Sequence, residues 1–97
     1  MSHRARFDWD SANLLKCQKH GVTIEEIEHL FRAGARILPS PATVGGETRH
    51  IAVGEAPSGR PMFVAFTVRG TADHQLIRPI SARYMHAKEA ERYAKAR

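Results

Sequence analysis

Long apolar runs are missing from this sequence of 97 residues. No stretch approaches the ~20 apolar residues of a membrane span, and residues 1–10 carry charges where a signal peptide needs an apolar run. Cysteine is almost missing too, because Cys17 stands alone and cannot form an internal disulfide. A lone thiol fits a reducing compartment. We therefore expect a cytoplasmic protein without membrane contact, folded as one domain over residues 1–97.

Signatures of metal and cofactor chemistry are also missing. No two of the six histidines have the close spacing with which a short helix or turn presents two ligands to one ion. The chain has no glycine-rich phosphate loop, no nucleophile elbow and no Cys-His signature. We expect neither a metal site nor a cofactor, which leaves chemistry based on charged side chains.

Lysine is scarce where arginine is plentiful, since four lysines accompany eleven arginines. A guanidinium presents a planar fork of donors that matches two phosphate oxygens, which an ammonium group cannot do. Residues 1–34 hold five basic and five acidic side chains, whereas residues 35–97 hold ten and five and supply the whole net charge of +5. This charge favours an acidic partner, either nucleic acid or an acidic protein surface.

Two helices are predicted in the first third of the chain. Asp10 is a suitable N-cap for the first helix, and Gly21 tolerates the left-handed conformation that follows a helix. Thr23 and Glu26 have the spacing of a capping box, which starts the second helix. The predicted limits are Ser11 to about His20 and Ile24 to Gly34.

From residue 36 the pattern changes to strands, interrupted by a loop over residues 39–46. The predicted strands are Arg36 to Leu38, Thr48 to Val53, Met62 to Arg69 and Gln75 to Arg83. The third is apolar on both faces and should be central, whereas Pro79 predicts that the fourth is an edge strand or carries a bulge. A last helix starts at about His86. This order predicts an α+β domain in which helices pack on an antiparallel sheet of about four strands.

Five short motifs in order resemble the BrnT-like toxin family, and the resemblance runs from Phe7 to about Tyr93. The motifs are Phe7-Asp8-Trp9-Asp10, Lys19-His20-Gly21-Val22, Glu47-x-Arg49 before Ile51-Ala52-Val53-Gly54, Arg78-Pro79-Ile80-Ser81-Ala82-Arg83, and Glu89 with Tyr93. The chain departs from the family pattern in two places. Lys16 and Cys17 stand where many members have an asparagine, and His86 stands where a threonine or serine often caps the last helix.

The resemblance implies a small bacterial ribonuclease toxin with a fold similar to RelE toxins. It also implies a partner, an antitoxin with a ribbon-helix-helix DNA-binding region, through which alone the toxin would reach operator DNA. The implied activity is RNA cleavage that arrests translation and growth. Such cleavage without a metal needs a base for the 2′-hydroxyl, cations for the phosphorane and a donor for the leaving oxygen.

The candidate site residues have charged or hydrogen-bonding side chains. The catalytic candidates are Lys19, His20, Glu47, Arg49, Arg69 and Arg83, and the candidates for RNA binding are Arg78, Tyr84 and His86. His50 has opposite strand parity to Arg49, which argues against its joining their site. Arg78 shares parity with Ile80 and Ala82, so pairing with Glu89 or a neighbouring acid is an equal alternative to a phosphate contact.

Structural alternatives stay open for the other candidates. Lys19 and His20 could have only a structural role, as positive groups that interact with the negative end of the first helix dipole. Glu47 and Arg49 could form only a surface ion pair. Two functions therefore remain: a ribonuclease toxin held inactive by an acidic antitoxin, or a non-catalytic basic module that binds RNA or protein.

Overall fold

Helices at both ends of the chain flank an antiparallel sheet, in the order that the sequence predicts. The computed structural model describes residues 6–38, 43–44, 47–71 and 73–96. Within them the elements are α1 (Ser11–Gln18), α2 (Ile24–Arg32), β1 (Arg36–Leu38), β2 (Thr43–Val44), β3 (Glu47–Thr48), β4 (His50–Glu55), β5 (Pro61–Thr71), β6 (His74–Tyr84) and α3 (Ala87–Ala96). The α+β prediction is confirmed, and the RelE-like label stays a prediction. Of the predicted loop, residues 39–42 and 45–46 lie outside the described residues.

Local capping fixes the start of α1. The Asp10 carboxylate accepts the backbone N–H groups of Ala12 and Asn13, at 2.9 and 3.1 Å, and the Asn13 side chain accepts the Asp10 N–H at 2.7 Å. These bonds confirm Asp10 as the N-cap. The helix ends at Gln18, earlier than predicted, because the following N–H groups bond carbonyls only three residues back.

The second helix starts as its capping box predicts. Thr23 Oγ1 accepts the Glu26 N–H at 3.1 Å, and Glu26 Oε1 accepts the Thr23 N–H at 2.9 Å. Gly21, which joins the two helices, has φ +90°, the left-handed conformation expected of a glycine there. Local sequence therefore sets both the turn and the first residue of α2.

The main sheet has the order β1-β4-β5-β6, with all neighbours antiparallel. The central position of β5 and the outer position of β6 are both as predicted. β2 and β3 form a separate two-stranded ribbon that the sequence analysis missed, since it joined β3 and β4 into one strand. Before α1, Phe7 forms a parallel bridge with Ile77, so the N-terminal segment lies along the outer edge of β6.

A bulge interrupts β6 beside Pro79. Ser81 pairs with Ala65, but Pro79 pairs with Phe66, which leaves Ile80 without an opposite residue. The buried Asn13 side chain holds this bulge by donating to the Pro79 carbonyl at 2.9 Å. The prediction of a bulge is confirmed. Its consequence is that residues before Ile80 point to the opposite face from the one that simple alternation assigns.

The core lies between the two N-terminal helices and one face of the sheet. The core residues from the two helices and the turn between them are Cys17, Val22, Ile27 and Leu30, and the sheet residues are Ala52, Met62, Val64, Phe66 and Ala82. Gly54 allows the close approach of α2, because a Cβ at this position would lie 3.0 Å from Leu30 Cγ. No described helix is long and apolar enough to cross a membrane.

The opposite face of the sheet is covered only in part, by α3. No residue of α3 is buried. Tyr93 is only half-buried, and its hydroxyl donates to Glu55 at 3.3 Å. We call this surface the open face. It carries Phe63, Ala65 and Arg69, which alternate along β5.

Cys17 should be chemically inert in the folded protein. It is fully buried, and burial raises the pKa of its thiol to about 11, so the reactive thiolate is scarce at neutral pH. We expect iodoacetamide at about pH 8 to label denatured protein stoichiometrically and folded protein far more slowly. Equal labelling rates in the two states, followed by mass spectrometry, would contradict this burial.

Candidate active site

Four cationic side chains and three carboxylates gather at one end of the open face. We call them the basic cluster: Lys16, Arg49, Arg69, Arg78, Asp8, Asp10 and Glu47. Four positive and three negative charges leave a net charge of +1. A cavity of about 200 Å³ lies among them, and Glu47 is the one carboxylate among the described residues that line it.

The bulge in β6 is what brings Arg78 to this cavity. Arg78 pairs with Thr67, and Thr67 lies two residues from both Ala65 and Arg69 on β5, so all of them share the open face. Without the extra residue at Ile80, alternation would put Arg78 on the core face. The sequence-based prediction that Arg78 lies on the same face as Ile80 and Ala82 is therefore wrong, because the bulge shifts the alternation of the strand.

Asp8 links two arginines of the cluster. Its Oδ2 lies 3.6 Å from Arg69 Nη1 and 3.5 Å from Arg78 Nη1. Asp10 Oδ2 forms an ion pair with Arg78 Nη2 at 2.9 Å, and Glu47 accepts a hydrogen bond from Arg69 Nε at 3.0 Å. Arg78 thus pairs with a neighbouring acid, one of its predicted alternatives, but with Asp8 and Asp10 rather than Glu89. The carboxylates hold two like charges side by side and orient their forks.

The remaining two cations of the cluster are not neutralised. The side chains of Arg49 and Lys16 make no hydrogen bond or ion pair with any other residue in the described part of the chain. His50 packs its ring against Phe66 at 5.3 Å on the core side, so its predicted separation from Arg49 holds. Arg49 and Lys16 are thus available to an anion in the cavity.

Two buried polar atoms at the base of the cluster lack hydrogen bonds. They are Thr67 Oγ1 and Arg78 Nη1, which belong to residues paired across β5 and β6. Arg78 Nη1 has only the longer ion-pair contact with Asp8. Unsatisfied buried donors are rare in folded proteins, and they occur at sites that bind a ligand or water.

Arg83 lies apart from this cluster, in a second and larger cavity of about 400 Å³. We call this cavity the apolar trough, because its floor is Leu38, Ile51, Phe63 and Ala65; His20 and Arg83 also line it. Arg83 donates Nη1 to Glu89 Oε1 at 2.8 Å and Nη2 to Oε2 at 2.9 Å, and its guanidinium lies over the Phe63 ring. The Arg83 fork is therefore engaged by α3.

The other candidates lie outside both arginine sites. Tyr84 donates to Glu26 at 2.6 Å, which raises the pKa of its phenol, and the Arg60 guanidinium lies 3.6 Å from its ring centre. Tyr84 thus ties β6 to α2. Lys19 is exposed at the end of α1, and His86 is exposed before α3, where its backbone N–H donates to Glu89.

Comparison of the whole sequence with known families decides between a ribonuclease toxin and a non-catalytic binding module. Residues 9–89 match the family described as the ribonuclease toxin, BrnT, of type II toxin-antitoxin systems. The chain belongs to this family. No individually curated protein matches it. The family makes this toxin a ribonuclease and implies a protein antitoxin as its partner.

Three members of the toxin's basic cluster were missed by the sequence analysis. Asp8 and Asp10 belong to a recognised motif, but their contact with Arg78 joins residues far apart in the chain. Lys16 was noted only as a departure from the family pattern. A helix face can be assigned a role only when its neighbours are known, and the structure places Lys16 in the cavity.

Neighbouring hydrogen-bond donors and charges favour the ionised form of two carboxylates, Asp10 in the basic cluster and Glu89 on α3. The Asn13 backbone N–H, followed by the Arg78 guanidinium, lowers the pKa of Asp10. The Arg83 fork, followed by the His86 N–H, lowers the pKa of Glu89 to about 2. In the described residues, no group of three His, Cys, Asp or Glu side chains is placed to hold a metal ion.

The Glu89 shift predicts a pH-dependent contribution to stability. The pKa of Glu89 is depressed on folding from an ordinary value of 4.5, so its contribution is present above about 4.5 and is lost as pH falls towards about 2. We expect Glu89→Gln to lower the free energy of unfolding at neutral pH, with the difference shrinking over that interval. Urea unfolding at several pH values measures it. Glu91→Gln, a change on the same helix at an exposed residue, is the control and should have little effect.

Proposed function

We propose that the toxin cleaves RNA without a metal ion, in the cavity of the basic cluster. The observation that carries the proposal is one cavity that joins a carboxylate, Glu47, to four cations. Two of these cations have no partner among the described residues, and the other two are oriented by Asp8. This set supplies a proton acceptor and charge stabilisation for a reacting phosphate.

The proposed reaction is an internal transesterification of RNA. The 2′-hydroxyl oxygen attacks the adjacent phosphorus while its proton passes to Glu47. Arg49 and Arg78 stabilise the charge on the phosphorane oxygens, and Arg69 keeps Glu47 in place. The bond from phosphorus to the 5′-oxygen then breaks, and that oxygen takes a proton from Lys16. The products are a 2′,3′-cyclic phosphate and a 5′-hydroxyl end.

The remaining candidates are proposed to act outside this cavity. Lys19, His20 and His86 are exposed cations or ring donors that can contact the RNA on either side of the cleaved bond. Arg83 and Tyr84 would contact RNA only after release from their hydrogen bonds with Glu89 and Glu26. We further propose that the toxin acts on RNA in the cytoplasm to arrest translation and growth. In this proposal its antitoxin is of the ribbon-helix-helix class and contacts operator DNA on behalf of the complex.

The metal-free mechanism predicts the substrate and the response to chelators. Purified toxin should cleave RNA equally well in excess EDTA and should spare DNA of the same sequence, because DNA lacks the attacking hydroxyl. Mass spectrometry of the fragments should find cyclic phosphate ends. Loss of cleavage in EDTA with recovery on adding a divalent ion would show that a metal carries the reaction.

Arg49 is the sharpest test of the charge-based mechanism. Arg49→Ala should lower cleavage by ~10²-fold, the effect of removing one well-placed donor, and should leave the fold intact because Arg49 has no described ion pair. Arg49→Lys should also be poor, since an ammonium cannot replace the fork. Arg92→Ala, at an exposed position on α3, is the control. Wild-type activity in Arg49→Ala would exclude the proposed role.

Arg83 has two candidate roles, as a cation that stabilises the transition state or as an anchor for α3. The variant Glu89→Gln distinguishes between them. If Arg83 is a transition-state cation, Arg83→Ala should lower cleavage by ~10²-fold, whereas Glu89→Gln should preserve cleavage, because it leaves the guanidinium in place. If Arg83 only anchors α3, both variants should lower stability and change activity alike. Rates should be compared with circular dichroism spectra of the same samples.

A further inference from the structure

The apolar floor of the trough is a surface that the proposed cleavage chemistry does not use, although His20 and Arg83, which also line the trough, have proposed roles towards RNA. Its floor consists of aliphatic and aromatic side chains on three neighbouring strands, β1, β4 and β5. A second cavity of about 310 Å³ continues it beneath α3 and shares Leu38 and Phe63 with it. Together the two cavities form an apolar path across the open face, from the end of α1 to α3.

The chemistry of this path fits a peptide better than RNA. An RNA surface needs phosphate contacts and ring faces for stacking. The trough floor has one aromatic ring, Phe63, and the Arg83 guanidinium lies over that ring at 4.8 Å. Leu38 and Ile51 offer aliphatic surface that buries apolar side chains.

The charges around the path favour carboxylates on the occupant. Arg36 and Arg92 line the part of the path beneath α3, and neither makes an ion pair within the described residues. The acid in this region, Glu89, is already paired with Arg83. An apolar segment flanked by acids would therefore meet complementary groups on the floor and at the rim.

The position of the trough connects docking to inhibition. Phe63 and Ala65 line the trough, and Arg69 lies on the same face of β5 in the basic cluster. Only Thr67 stands between Ala65 and Arg69 on that face. A protein interface of standard size covers roughly 800 Å² on each partner, so an occupant centred on the trough would also cover the cluster.

We propose that the apolar trough is the docking site of the cognate antitoxin, through an apolar segment of the antitoxin flanked by acidic residues. The partner follows from the family and does not depend on the catalytic roles assigned above. The segment covers the basic cluster from the side, so inhibition results from occlusion of the cavity. Only the link to inhibition rests on the proposed cleavage site.

Edge strand β1 provides a test with matched controls. Leu38 pairs with Ile51 and faces the trough, whereas its neighbour Ile37 pairs with the core residue Ala52 and faces the other way. Both are partly exposed, and so is Leu15 on α1. Leu38→Asp should weaken binding of the purified antitoxin by about 30-fold or more, as for a central contact of an interface. Ile37→Asp and Leu15→Asp should change it by less than about threefold.

Binding is measured by calorimetry, with circular dichroism as the check on folding. Unchanged affinity in Leu38→Asp, or an equal loss in Ile37→Asp, would overturn the proposal. If Leu38→Asp does not fold, Arg92→Glu, at an exposed position, takes its place. It should weaken binding by about fivefold or more and reduce its dependence on salt, and wild-type affinity would count against the trough.

A parallel measurement with RNA separates the two possible occupants. Leu38→Asp should bind a short RNA as tightly as the wild type does, because Leu38 lies outside the basic cluster. Loss of RNA binding with intact antitoxin binding would identify the trough as an RNA surface instead. If neither the wild type nor any variant cleaves RNA, the proposed function is refuted. The effect of Leu38→Asp on antitoxin binding would still stand.

Discussion

The site depends on the extra residue in β6. Ile80 has no opposite residue in β5, and this single insertion turns Arg78 from the core face to the open face. An arginine on the core face would have lain beside the core residue Phe66, where burial of an unpaired charge is strongly unfavourable. Pro79 beside the bulge has no backbone N–H, and its carbonyl is bound by Asn13. The sequence around Pro79 thus interrupts the ladder where an interruption costs least.

The N-terminal segment makes the charge cluster possible. Arg49, Arg69 and Arg78 bring like charges into one cavity, which would repel one another without nearby acids. Asp8 and Asp10 supply those acids because Phe7 pairs with Ile77 and leads the chain past Arg78. The same Asp10 caps α1. One carboxylate therefore joins helix initiation to the orientation of an arginine, and the two cannot be altered independently.

Sequence reasoning succeeded where a structure depends on neighbours in the chain. The capping box of Thr23 and Glu26, the turn at Gly21 and the bulge at Pro79 all have local causes. It failed for contacts that need the completed sheet. Simple alternation along the strand put Arg78 on the wrong face. A proline makes a bulge expected, but the sequence does not show which residue is the extra one, and that residue decides which face Arg78 takes. Lys16 could not be placed because nothing local shows what α1 lies beside.

The two faces of the sheet divide the demands on a small domain. The helix-covered face holds the buried core. In the two proposals made above, the open face serves both substrate and partner. The structure places two different surfaces side by side on the open face, a charged cavity and an apolar trough.

Arg83 connects the open face to α3. Both arms of its fork are bound by Glu89, so the fork cannot hold a carboxylate and a phosphate at once. The chemistry available at this end of the face therefore depends on whether α3 keeps its place. Because no residue of α3 is buried, the ion pair between Arg83 and Glu89 is one of the contacts that hold the helix, and a partner that competes for Arg83 would weaken it.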